Sequence, residues 1–304
     1  MLTVTFLGTG AATPTIDRNV AALAVQREGE TILFDCGEGT QRQMMRYGVG
    51  FSFTEIFFTH YHADHILGVT GLLRTMGLQD RSAPVTLYGP RGAQRVLGAA
   101  IALGIERNKF PVEIVEIKPG DRLPREQYDL VVFDTEHRAD TVGYALVEHT
   151  RLGRFDPARA RELGIPEGPL WGRLHKGETI VLEDGRLVAP ADLVGAPRPG
   201  RTLVYSGDTR PHLALVQAAR GADLLVHEAT FGGEELERAR ETGHSTAAEA
   251  ARVALEAGVR RLALTHISPR YTRDAPELLA EAVAIFPETV IARDGLTLEV
   301  PFAD

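Results

Sequence analysis

A single cysteine in 304 residues excludes an intramolecular disulfide and any zinc cage built on thiolates, so a bound metal falls to histidine and carboxylate. Cys36 itself reads as a small buried apolar residue. No uninterrupted apolar stretch approaches the roughly 20 residues of a membrane helix, and the N-terminus lacks a basic segment followed by an apolar one and a small-residue cleavage site. The expected address is the cytosol, with no membrane partner. Positive charge is also scarce: 33 Lys and Arg stand against 41 Asp and Glu, a net charge of −8. That balance argues against indiscriminate nucleic-acid binding over the whole surface and leaves room for a local basic patch.

What is present is an ordinary globular composition, 44% hydrophobic and 24% charged, in which short apolar runs alternate with helical patterns almost from end to end. "LTVTFLG", "NVAALAV", "TILFD", "EIFFT", "VTLYG", "VEIVEI", "YDLVVFD" and "VGYALVE" read as strands, with helices near 66–78 and 91–103. "TLVYSGD", "ADLLVHEA", "RLALTH", "TVIA" and "LTLEV" follow, with helices at 211–220, 246–257 and 276–286. This is a mixed α/β layout read as one domain over 1–304. Residues 150–199 break the rhythm. They are rich in glycine and proline, show no sustained period, and between Thr150 and Lys176 carry a local excess of three positive charges. The segment reads as a protruding insertion, the ordinary alternative being a long solvated loop.

"FLGTGAAT" tempts a dinucleotide-binding reading, because Gly8-x-Gly10 follows a strand and Asp35 ends another. Two strands and a turn follow the glycines where that motif needs a helix, so a tight turn is preferred, and no Gly-Lys-Ser/Thr marks a P-loop. "HYHADH" differs in kind. His60 and His62, two apart on extended chain, point the same way and can grip one metal, while Asp64 and His65 begin the next turn and reach a second position. Four such side chains in six residues are costly to bury without a cation. Partners are expected at other strand ends: His137 after "LVVFDTE", Asp208 after "LVYSG" and His266 after "LALT". Imidazole and carboxylate donors suit zinc, with manganese or a related divalent ion as the alternative. Asp208 can bridge two cations that acidify a shared water, which is hydrolase chemistry. His149, His175 and His212 carry no assigned chemistry; His227 is a neighbour of the site or simply core, and His244 lies in a loop before a capping-box helix start.

The His-x-His-x-Asp-His run with His137, Asp208 and His266 resembles the metallo-β-lactamase superfamily. "LVYSGDTRP", "HEATF", "GHST" and "LTHISPRY" are similar to the signatures of its ribonuclease Z family, the tRNA 3′ processing endonucleases, over nearly the whole chain. The resemblance implies an αβ/βα sandwich of two facing mixed sheets with helices outside. It also implies two zinc ions, one on His60, His62 and His137 and the other on Asp64, His65 and His266, with Asp208 between. By the same resemblance Asp64 accepts the proton of the attacking hydroxide, and His244, polarised by Glu228, protonates the departing 3′ oxygen.

The resemblance further implies that 150–199, containing "GIPEGPLWGRL" with Gly168 and Pro169, is a flexible tRNA-binding arm, and that the enzyme is a homodimer acting on precursor tRNA. Arg210 and Arg270, just after two ligand-bearing strands, are expected phosphate contacts. Arg18 and Asn19 belong to a loop that reads Pro-x-Lys-x-Arg-Asn in the family and helps read the 3′ end; here Ile16 replaces the lysine. The same metal set would serve a hydrolase of small phosphodiesters, lactones or sulfate esters. A non-catalytic RNA-binding protein with a structural metal is the third reading.

Overall fold

In the computed structural model, which describes residues 1–105, 107–271 and 273–303, apolar alternation along the strands has a direct architectural result. The strands are β1 (Leu2–Gly8), β2 (Ala22–Arg27), β3 (Glu30–Phe34), β4 (Glu55–Phe57), β5 (Val85–Gly89), β6 (Val112–Glu116), β7 (Arg122–Pro124), β8 (Tyr128–Asp134) and β9 (Val142–Glu148). They continue with β10 (Ile180–Val181), β11 (Leu187–Val188), β12 (Thr202–Tyr205), β13 (Leu224–Glu228), β14 (Leu262–Thr265), β15 (Thr289–Ile291) and β16 (Thr297–Glu299). Two seven-stranded sheets result, ordered β16-β1-β2-β3-β4-β5-β6 and β15-β14-β13-β12-β9-β8-β7. In the first, β3 to β6 run parallel; in the second, β12 to β15 do.

Alternate residues Leu2, Val4 and Phe6 of one sheet meet Tyr144, Leu146, Leu203 and Tyr205 of the other in a shared core. Phe34 lies 5.3 Å from Tyr144 and Phe57 stacks on Tyr88 at 4.5 Å. The outer face of the first sheet is covered by helices contributing Met44, Val69, Leu72 and Leu97. Leu215, Ala250, Ala254 and Leu278 cover that of the second. Parallel strands buried on both faces explain the near-continuous apolar runs. The αβ/βα layering is the expected one.

Outside 148–201, three helices were not legible as such. Thr40–Arg46 and Leu236–Thr242 are too short to show a period. The helix expected over 66–78 is two, Ala63–Ile66 and Val69–Leu78, because Gly68 must pass close to another backbone: its N–H donates to the Cys36 carbonyl, and a Cβ there would lie 2.0 Å from the Gly37 oxygen.

Glu148–Arg201 forms a compact unit of its own. Here the structure corrects the sequence reading of an irregular, basic segment. Helix Pro157–Glu162, capped by Asp156 accepting from the Arg159 N–H, helix Pro169–His175 and the β10-β11 hairpin enclose a small core of Ala160, Ile165, Leu174, Ile180 and Val188, flanked by Phe155 and Trp171. Each helix is under two turns, too brief to display periodicity. Nine Lys and Arg stand against eight Asp and Glu over 148–201, and Arg159, Arg161 and Arg173 pair locally with Glu162, Glu167 and Glu178, so the positive excess of residues 150–176 is largely neutralised within the unit. Among the described residues, no helix is long and apolar enough to cross a membrane.

Candidate metal centre and active site

The C-terminal ends of β4, β12, β13 and β14 open at one edge, the position where parallel α/β sheets build their sites. His60 follows β4, Asp208 follows β12, Glu228 ends β13 and His266 follows β14, while His137 follows β8. All seven expected ligands converge. Ligand atoms of His60, His62, His137 and Asp208 lie within 4.8 Å of one another, as do those of Asp64, His65 and His266.

Hydrogen bonds decide which imidazole nitrogen faces the centre. The Asp35 carboxylate can only accept, so His65 Nδ1–H donates to it at 2.9 Å and the Thr59 hydroxyl at 2.9 Å. Having donated to Asp35, Thr59 Oγ1 accepts from His60 Nδ1 at 3.1 Å. His137 Nδ1 donates to the Gly243 carbonyl at 2.8 Å. Thr230 donates its hydroxyl to Glu228 at 2.8 Å and therefore accepts from His266 Nδ1 at 2.9 Å. In the neutral form of each of these four rings Nε2 is the unprotonated nitrogen, and it points inward.

Those bare nitrogens fit a cation and little else. His60 Nε2 stands 2.9 Å and His137 Nε2 3.2 Å from His62 Nδ1, and His65 Nε2 stands 3.4 Å from His266 Nε2. Lone pairs so close repel unless a positive charge lies between them, and donors about 2.0–2.1 Å from a tetrahedral zinc stand roughly 3.3 Å apart. An Asp208 oxygen is 3.4 Å from both His65 and His266 and 3.7 Å from His60, the place of a bridging carboxylate. Burial and the neighbouring His65 push His60 below its ordinary pKa, leaving it neutral. Burial opposes charge on His65 and Asp208 as well, yet Asp208 and Asp35 lift His65 while His266 and His65 hold Asp208 down. The centre therefore favours added positive charge.

The centre is flanked by a second arrangement. Glu228 is 1% exposed and its carboxylate takes four donors: Thr209 N–H and His244 Nδ1 on one oxygen, Thr230 N–H and hydroxyl on the other. Burial works against a charged His244, but Glu228 and then Asp208 outweigh it and push the ring up to about 9. Asp64 accepts from the Ala12 N–H at 2.8 Å and lies 3.3 Å from His266. Ala12, Asp35 and His266 all hold positive φ without being glycine, strain that clusters around these groups. Gly207, at φ 59 beside Asp208, passes so near Thr59 that a Cβ would lie 2.7 Å from its methyl. A cleft of about 470 Å³ opens over the centre, lined by Ala12, His62, Asp64, Asp208, Phe231, His244, His266 and Arg270 among others.

Comparison with known proteins identifies the family. The chain is 57% identical to ribonuclease Z of Gemmatimonas aurantiaca over 305 aligned residues, covering 100% of this chain and 97% of that one. It is 56% identical to ribonuclease Z of Myxococcus xanthus, covering 100% and 99%. The chain belongs to the ribonuclease Z family. Ribonuclease Z enzymes are metal-dependent hydrolases of the metallo-β-lactamase fold, and this chain is one. The solved structure of human tRNase Z, short form, superposes with a TM-score of 0.71 at 28% identity, covering 99% of this chain and 100% of that one. A family model described as the anti-Pycsar protein Apyc1 matches residues 2–152, and one described as a beta-lactamase superfamily domain matches 192–267.

Within this ribonuclease Z scaffold two expected substrate contacts turn inward. Arg18 is 4% exposed; it donates to the Thr9 hydroxyl, the Ala292 carbonyl and the Arg273 carbonyl, bracing the loop it belongs to. Arg210 is committed to Glu249 and to the His244 carbonyl and is absent from the cleft lining. Asn19 donates its side-chain amide to the Glu38 carbonyl and lines a separate polar pocket with Ile16, Arg42 and Arg273. Arg270 does reach the cleft. Gly168 and Pro169 start a helix in the 148–201 unit. His227 lies in the core beside Glu228, its Nδ1 facing the Glu228 carbonyl at 2.6 Å. Sequence reading missed Asp35, Thr59 and Thr230. The one local signal was Asp35 ending a strand beside Cys36 and Gly37, which had served only to weigh a nucleotide motif.

Because the inward nitrogens repel without a cation, dialysis against a chelator should lower the thermal midpoint. Re-addition of zinc at about 100 times its dissociation constant should restore about 2.7 kcal/mol, on the order of 4 °C for a chain of 304 residues. A midpoint indifferent to chelator and to zinc or manganese would remove the metal assignment.

Proposed function

We propose that this enzyme is a dizinc endoribonuclease that removes the 3′ trailer from precursor tRNA, acting in the cytoplasm as a homodimer. The observation that carries the reading is the juxtaposition of two inward-facing donor sets with the His244–Glu228 pair across one cleft. His60, His62, His137 and Asp208 would hold one ion, and Asp64, His65, His266 and Asp208 the other. Zinc is the favoured ion because every donor is imidazole or carboxylate, manganese being the alternative. Bound there, the two ions supply a lowered water pKa and neutralise charge on the phosphodiester.

The chain's own groups do the rest. Asp64, fixed by the Ala12 N–H, accepts a proton from the attacking water, whose oxygen bonds to phosphorus. The bond from phosphorus to the 3′ oxygen breaks, and that oxygen takes its proton from His244, which Glu228 keeps charged and oriented. The products are a tRNA with a free 3′-hydroxyl and a trailer with a 5′-phosphate. Arg270 at the cleft rim offers the phosphate a further donor. Mapping the cut on one precursor with purified protein tests the reading: a product with a 3′-hydroxyl at the acceptor end supports it, and a 3′-phosphate or no cleavage refutes it.

The tRNA-binding role of the 148–201 unit belongs to the same proposal and is separable from the chemistry. Arg151 and Arg198 face each other through paired backbone hydrogen bonds, so 152–197 can be replaced by a two-residue glycine turn. The shortened enzyme should lose precursor cleavage by at least 10²-fold through KM while hydrolysing bis(p-nitrophenyl) phosphate at an unchanged rate. Unaltered precursor cleavage would remove the tRNA-binding role from this unit and leave the chemistry standing; loss of both activities would mean that the segment supports the fold.

A further inference from the structure

His244 sits in a four-residue link, Gly243 to Thr246, between helices Leu236–Thr242 and Ala247–Ala257. A link that short sets the ring's position through its backbone, and the backbone is tied at several points. Gly243 O accepts from the His137 ring, the His244 N–H donates to Ala239 at 2.8 Å, and the Ser245 hydroxyl donates to the Thr209 carbonyl at 2.6 Å. The remaining group is the His244 carbonyl. Its partner is Arg210, two residues beyond Asp208.

We infer that Arg210, held by Glu249, is the positioning residue that fixes the His244 proton donor at its distance from the Asp208 carboxylate, 3.9 Å away. Arg210 engages both Glu249 oxygens, and the two side chains are 14% and 13% exposed, so this is a half-buried bidentate pair and not a solvated one. Glu249 in turn accepts from the Thr246 N–H at 2.9 Å, anchoring the far side of the link. The backbone of Arg210 donates to the Glu136 carbonyl at 2.7 Å, beside His137. Arg210 therefore ties the strand end that carries Asp208 to the residue before a second ligand through its backbone N–H, and to the link that carries His244 through its guanidinium. The inference rests on the proposed role of His244 and predicts a pattern that role alone does not.

A proton donor matters for a leaving alkoxide and hardly at all for p-nitrophenolate, which is stable without protonation. Arg210→Ala should lower kcat for precursor cleavage by about 10²-fold, the cost of a displacement on the order of 1 Å, with KM unchanged. Hydrolysis of bis(p-nitrophenyl) phosphate and metal content should stay within about twofold, since no ligand contacts Arg210. Glu249→Gln, which keeps an oxygen for the helix cap, should show the same selectivity in weaker form and serves if the alanine variant is unstable. Equal losses on both substrates, or a raised KM at constant kcat, would overturn the inference: the first makes Arg210 a general support, the second a substrate contact. His244→Ala measured alongside separates the two levels. If His244→Ala is selective and neither clamp variant is, the clamp fails alone; if His244→Ala is not selective, the proton-donor reading fails and takes the clamp with it.

Discussion

Asp208→Ala should abolish metal retention at both positions and lower precursor cleavage by on the order of 10³-fold or more, the equivalent of several kcal/mol of lost charge stabilisation. The reason is geometric. One carboxylate oxygen stands 3.4 Å from His65 and His266, 3.7 Å from His60, 3.9 Å from His244 and 4.0 Å from His137, so it is the only negative group shared by both donor sets among the described residues. Removing it would leave the His60, His62 and His137 set without a carboxylate and would take from both sets the ligand they would share. Metal content by atomic emission is the decisive readout. Two equivalents retained in the alanine variant would mean that Asp208 is not the bridge, whatever the activity does.

Glu228→Ala is expected to be the most damaging change outside the donor sets. Its carboxylate satisfies the Thr209 and Thr230 N–H groups, the Thr230 hydroxyl and the His244 ring, all at a position 1% exposed. Stranding buried donors costs about 1–3 kcal/mol each, so a loss of about 4 kcal/mol or more is expected, with a thermal midpoint lower by on the order of 6 °C or more. Catalysis should fall further, by about 10²–10⁴-fold, since His244 loses its orienting partner and Thr230 no longer needs to accept from His266. Glu228→Gln separates the two effects. An amide presents an acceptor on one side only, so one pair of donors is kept and the other opposed; a variant as active as the parent would sink the orienting role.

Much of this was legible before any coordinates. "VTLYG", "YDLVVFD" and "VGYALVE" are strands over the residues their patterns marked. The gathering of His60, His62, Asp64, His65, His137, Asp208 and His266 followed from a local rule: each stands at or just past the end of an apolar run, and such ends share an edge. The interior of 148–201 was not legible, because helices of six and seven residues have no room for a period. Arg18 and Arg210 illustrate a different blind spot. Following a ligand strand or lying in the loop after the first strand says that an arginine is near the site, not which way its side chain points, and both point into the protein.

The sequence by itself determined which side chains could hold a cation and which edge of the fold they would reach, since both depend on residue type and on strand periodicity along a few neighbouring positions. Only the tertiary structure decided which nitrogen each imidazole offers and which carboxylates hold it there. Asp35 meets Tyr205 across 170 positions and Arg18 meets Ala292 across 274, and such partnerships are set by how two sheets stack, which no local pattern encodes.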